Sequence, residues 1–326
     1  MIEVYPEAFG NDFLSLLSFE TYLQKIYKMK MSFLILLASV LIFFSCQEAK
    51  KPEFLQLKKE LPKEMKEVSG LVASGDHLWA VSDKPKASIV KMDTAGKIVQ
   101  EITIEGVKMI DVETIAADDS SLYIGDVGDN DGTRDERIIY KIALASIGTG
   151  KVEKVKAEVI SFTFAGDVTV EKKKLNEHDC EAMIHYNGSL FLFTKRRTDK
   201  DSEVFEIPTQ PGKHVAKQLG MIKTEGMVTG ASINKANNEI ALIGYQKDHL
   251  YPFILLLSEF DGSNIISSKM ERIELADKEW DWQLESIAYT ENDNIYFACE
   301  ETKDVPATLY AINRNNMQQL NKKKSE

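Results

Sequence analysis

The chain has 326 residues, 44% of them hydrophobic, and carries 51 acidic against 40 basic side chains for a formal net charge of −11. An acid excess of this kind argues against nucleic acid as a partner, because gripping phosphates needs clustered Lys and Arg. The runs Lys172-Lys173-Lys174 and Lys322-Lys323-Lys324 read as solvated surface.

Residues 1–28 carry acids and no signal character, so with Met29 or Met31 as the start they read as an upstream extension. From Met29 the chain runs through Lys30 into the apolar stretch Phe33 to Phe44, then Ser45 and Cys46. A basic flank, an apolar run and a small residue before a cut describe a secretory signal. The cysteine after the small residue resembles a bacterial lipoprotein signal, in which Cys46 becomes the lipidated first residue of the mature chain. A transmembrane anchor is the competing reading, but the run is short for a span and no stop-transfer pattern follows. The expected division is a signal segment over 1–45, a tether containing a first strand over 46–66, a β domain over 67–316 and a polar tail over 317–326. The expected place is a membrane, held by lipid, on the periplasmic face or the cell surface.

Beyond the tether a short phrase recurs five times. It opens at Val68-Ser69-Gly70-Leu71, Val112-Glu113-Thr114-Ile115, Cys180-Glu181-Ala182-Met183, Thr229-Gly230-Ala231-Ser232 and Leu284-Glu285-Ser286-Ile287. A second apolar run follows each opening, such as Leu78-Trp79-Ala80-Val81 or Leu190-Phe191-Leu192-Phe193, and then a third, such as Thr308 to Ile312. The runs are short and rich in β-branched and aromatic residues, and turn residues such as Asn187-Gly188 and Asp261-Gly262 separate them. Strand-only repeats at this period predict an all-β fold, a single β-propeller of five blades, with six as the alternative. Residues 97–104, 158–164, 217–222 and 270–275 read as fourth strands. Blade five has none of its own, so Phe54-Leu55-Gln56-Leu57 is expected to complete it beside Thr308 to Ile312 and close the ring.

Aligning the repeats places Glu113, Glu181 and Glu285 in one register, with Ser69 and Ala231 in the remaining blades. Two residues earlier stand Glu67, Asp111, Asp179, Thr229 and Gln283. Since the first strand of a blade lines the central channel, Glu67, Asp111, Glu113, Asp179, Glu181 and Glu285 are expected to converge near the axis. Three readings stay open: a cation site, acid–base chemistry among crowded carboxylates, or structural hydrogen bonding between blades.

Between the second and third strands of blade two, Asp126, Asp129, Asp131 and Asp135 alternate around Gly132 like part of a calcium loop. A conformational turn braced by Arg134 or Arg137 is the other reading. The second strands end at Asp83, Lys195 with Arg196 and Arg197, Tyr245 and Glu300, which predicts a charged rim. Trp79, His249, Tyr251, Trp280 and Trp282 are expected to add aromatic surface there, fit for a small polar ligand or a peptide. His178 and His185 lack metal-ligand spacing and read as surface or loop residues. Cys180 and Cys299 read as buried thiols rather than a bridge.

The phrases Glu67 to Leu71 with Leu78 to Asp83, Gly125 to Asn130 with Arg137 and Tyr140, and Asp179 to Met183 with Thr194-Lys195 resemble a bacterial group. It comprises SdiA-regulated and phytase-like, or "esterase-like", secreted propellers, and the likeness spans about residues 67–312. The phytase-like label implies phosphate-ester hydrolysis with bound calcium. Two functions follow as expectations: ligand or partner binding at the rim, and calcium-dependent phosphoester hydrolysis.

Overall fold

The computed structural model describes residues 56–83, 88–165, 177–246, 251–275 and 283–317. The signal segment and Cys46 lie outside the described residues. Among the described residues, twenty-one strands form a ring of five blades. The first, β1 (Leu57–Glu60), belongs to the last blade. Blade one is β2 (Val68–Ser74), β3 (His77–Ser82), β4 (Ser88–Met92) and β5 (Ile98–Ile104). Blade two is β6 (Val112–Ala117), β7 (Ser121–Asp126) and β8 (Arg137–Ala143), then, after the short β9 (Val152–Val155), β10 (Glu158–Phe164). Blade three is β11 (Cys180–Tyr186), β12 (Ser189–Thr194), β13 (Ser202–Pro208) and β14 (Gly212–Ile222). Blade four is β15 (Met227–Asn234), β16 (Glu239–Gln246), β17 (Tyr251–Ser258) and β18 (Lys269–Glu274). Blade five is β19 (Leu284–Tyr289), β20 (Asn294–Cys299) and β21 (Thr308–Asn313), with β1 outermost.

Strand burial follows position in the blade. β12 buries Leu190 through Thr194 without alternation, because both of its faces are covered by neighbouring blades. The outer β5 alternates, burying Gln100, Ile102 and Ile104 while Val99, Glu101 and Thr103 face water. The apolar core is divided into five clusters, each lying between two adjacent blades. The inner strands β2, β6, β11, β15 and β19 touch in that cyclic order, and β19 touches β2 again. This closure settles the blade number at five: there is no gap between β19 and β2 for a sixth.

The N-terminal strand closes the ring as expected, a few residues further along the chain. β1 pairs antiparallel with β21, Leu57 opposite Ala311 and Glu60 opposite Thr308, so the strand starts at Leu57 where Phe54 was expected. The Gln56 N–H also donates to the Ala311 carbonyl at 2.8 Å, while Phe54 and Leu55 lie outside the described residues. Two outer-edge connections have no sequence counterpart above. β10 pairs in parallel with β14, joining blades two and three into one eight-stranded sheet, and β9 pairs in parallel with β5, tying blade two to blade one. Cys180 and Cys299 are free and buried, in blades three and five.

Candidate functional site: a carboxylate hub on the propeller axis

Every inner strand carries a bulge at the same place in its pairing with the second strand. The irregularities fall between Val68 and Gly70, Val112 and Thr114, Cys180 and Ala182, Val228 and Gly230, and Leu284 and Ser286. The bulged residues are therefore Ser69, Glu113, Glu181, Thr229 and Glu285. A bulge inserts one residue and re-aims its side chain, so all five leave the ladder alike. This corrects the sequence alignment in blade four: Thr229, not Ala231, shares the register of the glutamates, and Met227 takes the earlier place given to Thr229.

The two hydroxyls and the three carboxylates do different work. Ser69 Oγ donates to the Val112 carbonyl at 2.6 Å, and Thr229 Oγ1 donates to the Leu284 carbonyl, so each ties its blade to the inner strand of the next. Glu181 Oε1 and Glu285 Oε1 are buried with no hydrogen-bond partner. Between them stands Lys195, just past the end of β12, with its Nζ 3.2 Å from Glu181 Oε2 and 5.8 Å from the centre of the Tyr245 ring.

Burial dominates the electrostatics. It pushes the Glu113 carboxyl well above its ordinary value, and the nearby charges of Glu181 and Asp111 add to the shift. Burial likewise raises Glu181 well above the usual range despite the Lys195 ammonium. Glu285 is raised by burial too, with Lys195 and the Tyr245 phenol opposing. Burial alone would lower Lys195, but Glu181, Glu285, Tyr245 and Glu113 together hold it protonated. The hub thus sets an ammonium, whose charged form its neighbours favour, among carboxyl groups whose neutral form burial favours.

Asp111 and Asp179 border this centre, and Glu67 is half-buried just ahead of β2. Asp179 Oδ2 accepts from Arg197 Nη1 at 2.6 Å and its Oδ1 from the Asp129 N–H at 2.9 Å, while Arg197 Nη2 reaches Asn130. Asp111 and Glu113 pack directly on Gly128, where a methyl group would meet Asp111 Cγ at 2.6 Å and Glu113 Cγ at 2.7 Å. Only a glycine lets the β7–β8 loop lie that close. Burial, with Asp83 and Asp179 nearby, raises Asp111 to about 6. Its folded value lies above the ordinary 3.8, so its contribution to stability is complete below about pH 4 and is lost as the pH rises through 6. Asp111→Asn is expected to flatten the fall of Tm across that window; an unchanged pH profile would remove Asp111 from the titration.

The four aspartates of the β7–β8 loop do not converge on a point. Asp126 accepts from the Ile110 and Asp111 N–H groups, both at 3.0 Å, and pairs with Arg134 Nη1 at 2.8 Å. Asp129 accepts from the Thr133 N–H at 2.8 Å and pairs with Arg137 Nη2 at 2.8 Å. Asp131 and Asp135 are exposed. Both arginines brace the loop, and among the described residues no three His, Cys, Asp or Glu side chains are grouped to hold a metal ion.

The rim residues share a register, as the repeat implied. The N–H groups of Asp83, Lys195 and Glu300 donate to the carbonyls of Glu67, Asp179 and Gln283, and Tyr245 pairs with Met227. Of these, Lys195 and Tyr245 turn inward to the hub. Arg196 turns outward, held by Asp199 at 2.7 Å, with Glu177 and Glu203 beyond. Arg197 is the second cation at the channel, paired with Asp179 at 2.6 Å. Trp79 is not at the rim: it is buried in the core between blades one and two. His249, Trp280 and Trp282 lie outside the described residues.

No protein-family model and no curated protein sequence matches the chain. Solved structures resemble it at low identity. A glutaminyl cyclase from Myxococcus xanthus is 10% identical, with 79% of this chain and 94% of that one covered at a TM-score of 0.45. A glucose dehydrogenase is 7% identical over 78% of this chain and 99% of that one, TM-score 0.44. The PQQ-bound aldose sugar dehydrogenase of Streptomyces coelicolor is 11% identical over 78% and 98%, TM-score 0.43. At this distance none of them speaks to the chemistry of this chain.

Proposed function

We propose that this protein is a lipid-anchored, extracytoplasmic propeller that binds a small polar ligand, or a polar side chain of a protein partner, at the rim end of its channel. The observation that carries this reading is the pair of buried, unpartnered oxygens Glu181 Oε1 and Glu285 Oε1 beside Lys195. An unsatisfied buried acceptor costs about 1–3 kcal/mol, which a ligand rich in hydrogen-bond donors would recover. Lys195 supplies the matching donor for a carbonyl, hydroxyl or carboxylate on the same ligand. Titration calorimetry against monosaccharides, amino acids and calcium chloride tests it. At least one saturable ligand is expected, bound at least tenfold more weakly by Glu285→Gln. Saturable binding that is indifferent to Glu285→Gln, or none across the panel, would overturn the reading.

Calcium-dependent phosphoester hydrolysis remains the competing proposal, resting on the phytase-like resemblance. The cations near the hub give it little support, since Lys195, Arg196 and Arg197 are each engaged by carboxylates. Calcium-requiring turnover of a phosphoester that vanishes in Glu113→Gln would put it first.

The anchor is proposed from the lipoprotein-like signal alone. Cys46→Ser is expected to abolish acyl labelling and release the protein from membranes. Continued acylation of that variant would remove Cys46 from the account.

A further inference from the structure

β1 fixes the end of the propeller at which the chain comes in. In blade five the inner strand β19 runs from the bulge at Glu285, at the rim end, to Tyr289, where a hairpin turns it into β20. β21 then runs from Thr308, opposite Cys299 at the rim end, to Asn313, opposite Asn294 at the hairpin end. β1 is antiparallel to β21, with Leu57 opposite Ala311 and Glu60 opposite Thr308. It therefore runs from the hairpin end toward the rim end. The Gln56 N–H, bonded to the Ala311 carbonyl, lies on the hairpin side of the strand. On the other side the Leu61 N–H donates to the Ala307 carbonyl, and the chain enters β2 at Val68, beside the bulge of blade one.

Ten residues stand between Cys46 and Leu57. Fully extended, that length reaches about 35 Å. The inner strands are 6 to 8 residues long. The two ends of the channel are thus about 20 Å apart. A bilayer against the hairpin end is met by the shortest path from Leu57. A bilayer against the rim end would require the same residues to double back along the outside of blade five, an ordering that costs conformational entropy. The inner turns at the hairpin end expose Asp76, Asp119, Asn187, Lys235 and Glu291. These polar side chains suit a headgroup layer and offer nothing to insert among acyl chains.

We infer that the propeller turns its hairpin end to the lipid headgroups of its membrane and opens the rim end, with the hub, to the aqueous side. The inference rests on the lipid anchor proposed above. It deepens the binding reading by naming the route: a ligand of the hub arrives through water, not from the lipid.

The full chain, expressed with its own signal segment and acylated, is tested in phosphatidylcholine vesicles that carry an energy-transfer acceptor on their headgroups. A donor dye is placed on Asp131→Cys, in the β7–β8 loop at the rim end, or on Glu291→Cys, at the hairpin end. Both positions are exposed, whereas Cys180 and Cys299 are buried and stay unlabelled. The difference in height of about 20 Å is expected to make transfer roughly twofold stronger, or more, from position 291. Equal transfer from the two positions, or stronger transfer from position 131, in protein that floats with the vesicles would overturn the orientation and leave the anchor standing. Protein that does not float with the vesicles would end the anchor and the orientation together.

Discussion

Replacing Lys195 with methionine is expected to lower Tm by about 10 °C at pH 7.5 and by much less at pH 5. The ammonium is buried against Glu181, with Glu285, Glu113 and Tyr245 around it. Removing one partner from a buried charged cluster costs roughly 3–5 kcal/mol, because the charge left behind is uncompensated. At about 2–4 °C per kcal/mol for a domain of this size, the loss reaches the stated range. The direction with pH follows from linkage. Burial already raises the carboxyls of Glu113, Glu181 and Glu285, and without Lys195 they rise further. A carboxyl whose folded pKa is raised binds its proton more tightly in the folded chain, so stability is lost as the pH climbs from the unfolded value toward the folded one. Scanning calorimetry of the variant at the two pH values decides the matter. Equal losses at both would mean that methionine disturbs packing alone.

Deleting β1, by removing the chain through Glu60, is expected to lower Tm by a similar amount and to make the propeller self-associate. The deletion strips the outer strand from blade five, with its four-residue register against β21 and the flanking bond from the Gln56 N–H to the Ala311 carbonyl. Hydrogen bonds worth about 0.5–1.5 kcal/mol each sum to roughly 3–6 kcal/mol. The newly bare edge of β21 carries Leu309, Ala311 and Ile312, and no lysine interrupts the strand to block pairing with another chain. By contrast β1 itself, reading Leu57-Lys58-Lys59-Glu60, is a charged outer edge. Sedimentation of the truncated chain reads the association. A monomer that melts like the parent would show that the ring closes without this strand.

Much of the architecture was legible from short-range pattern. Turn residues at Asn187-Gly188 and Asp261-Gly262, apolar runs such as Leu190 to Phe193, and the recurrence of the opening phrase were enough to define blades. The need to cover the edge of β21 was enough to point to an N-terminal strand. The parallel joins of β10 to β14 and β9 to β5 were not legible, because residues far apart in the chain meet there and Val152 to Val155 is too short and charged to look like a strand.

The sequence by itself determined an all-β ring of repeats whose inner strands carry Glu113, Glu181 and Glu285, since strand period and turn chemistry are local properties of the chain. Only the tertiary structure decided what those acids face. A bulge adds a residue without a signature in composition, so the choice of Thr229 over Ala231 as their partner in register had to await the pairing of β15 with β16. The same holds for the inward turn of Lys195 and Arg197, the outward turn of Arg196, and the transfer of Trp79 from rim to core. Side-chain direction depends on which face of a strand the neighbouring blades cover, and five blades cover those faces only once the ring is closed.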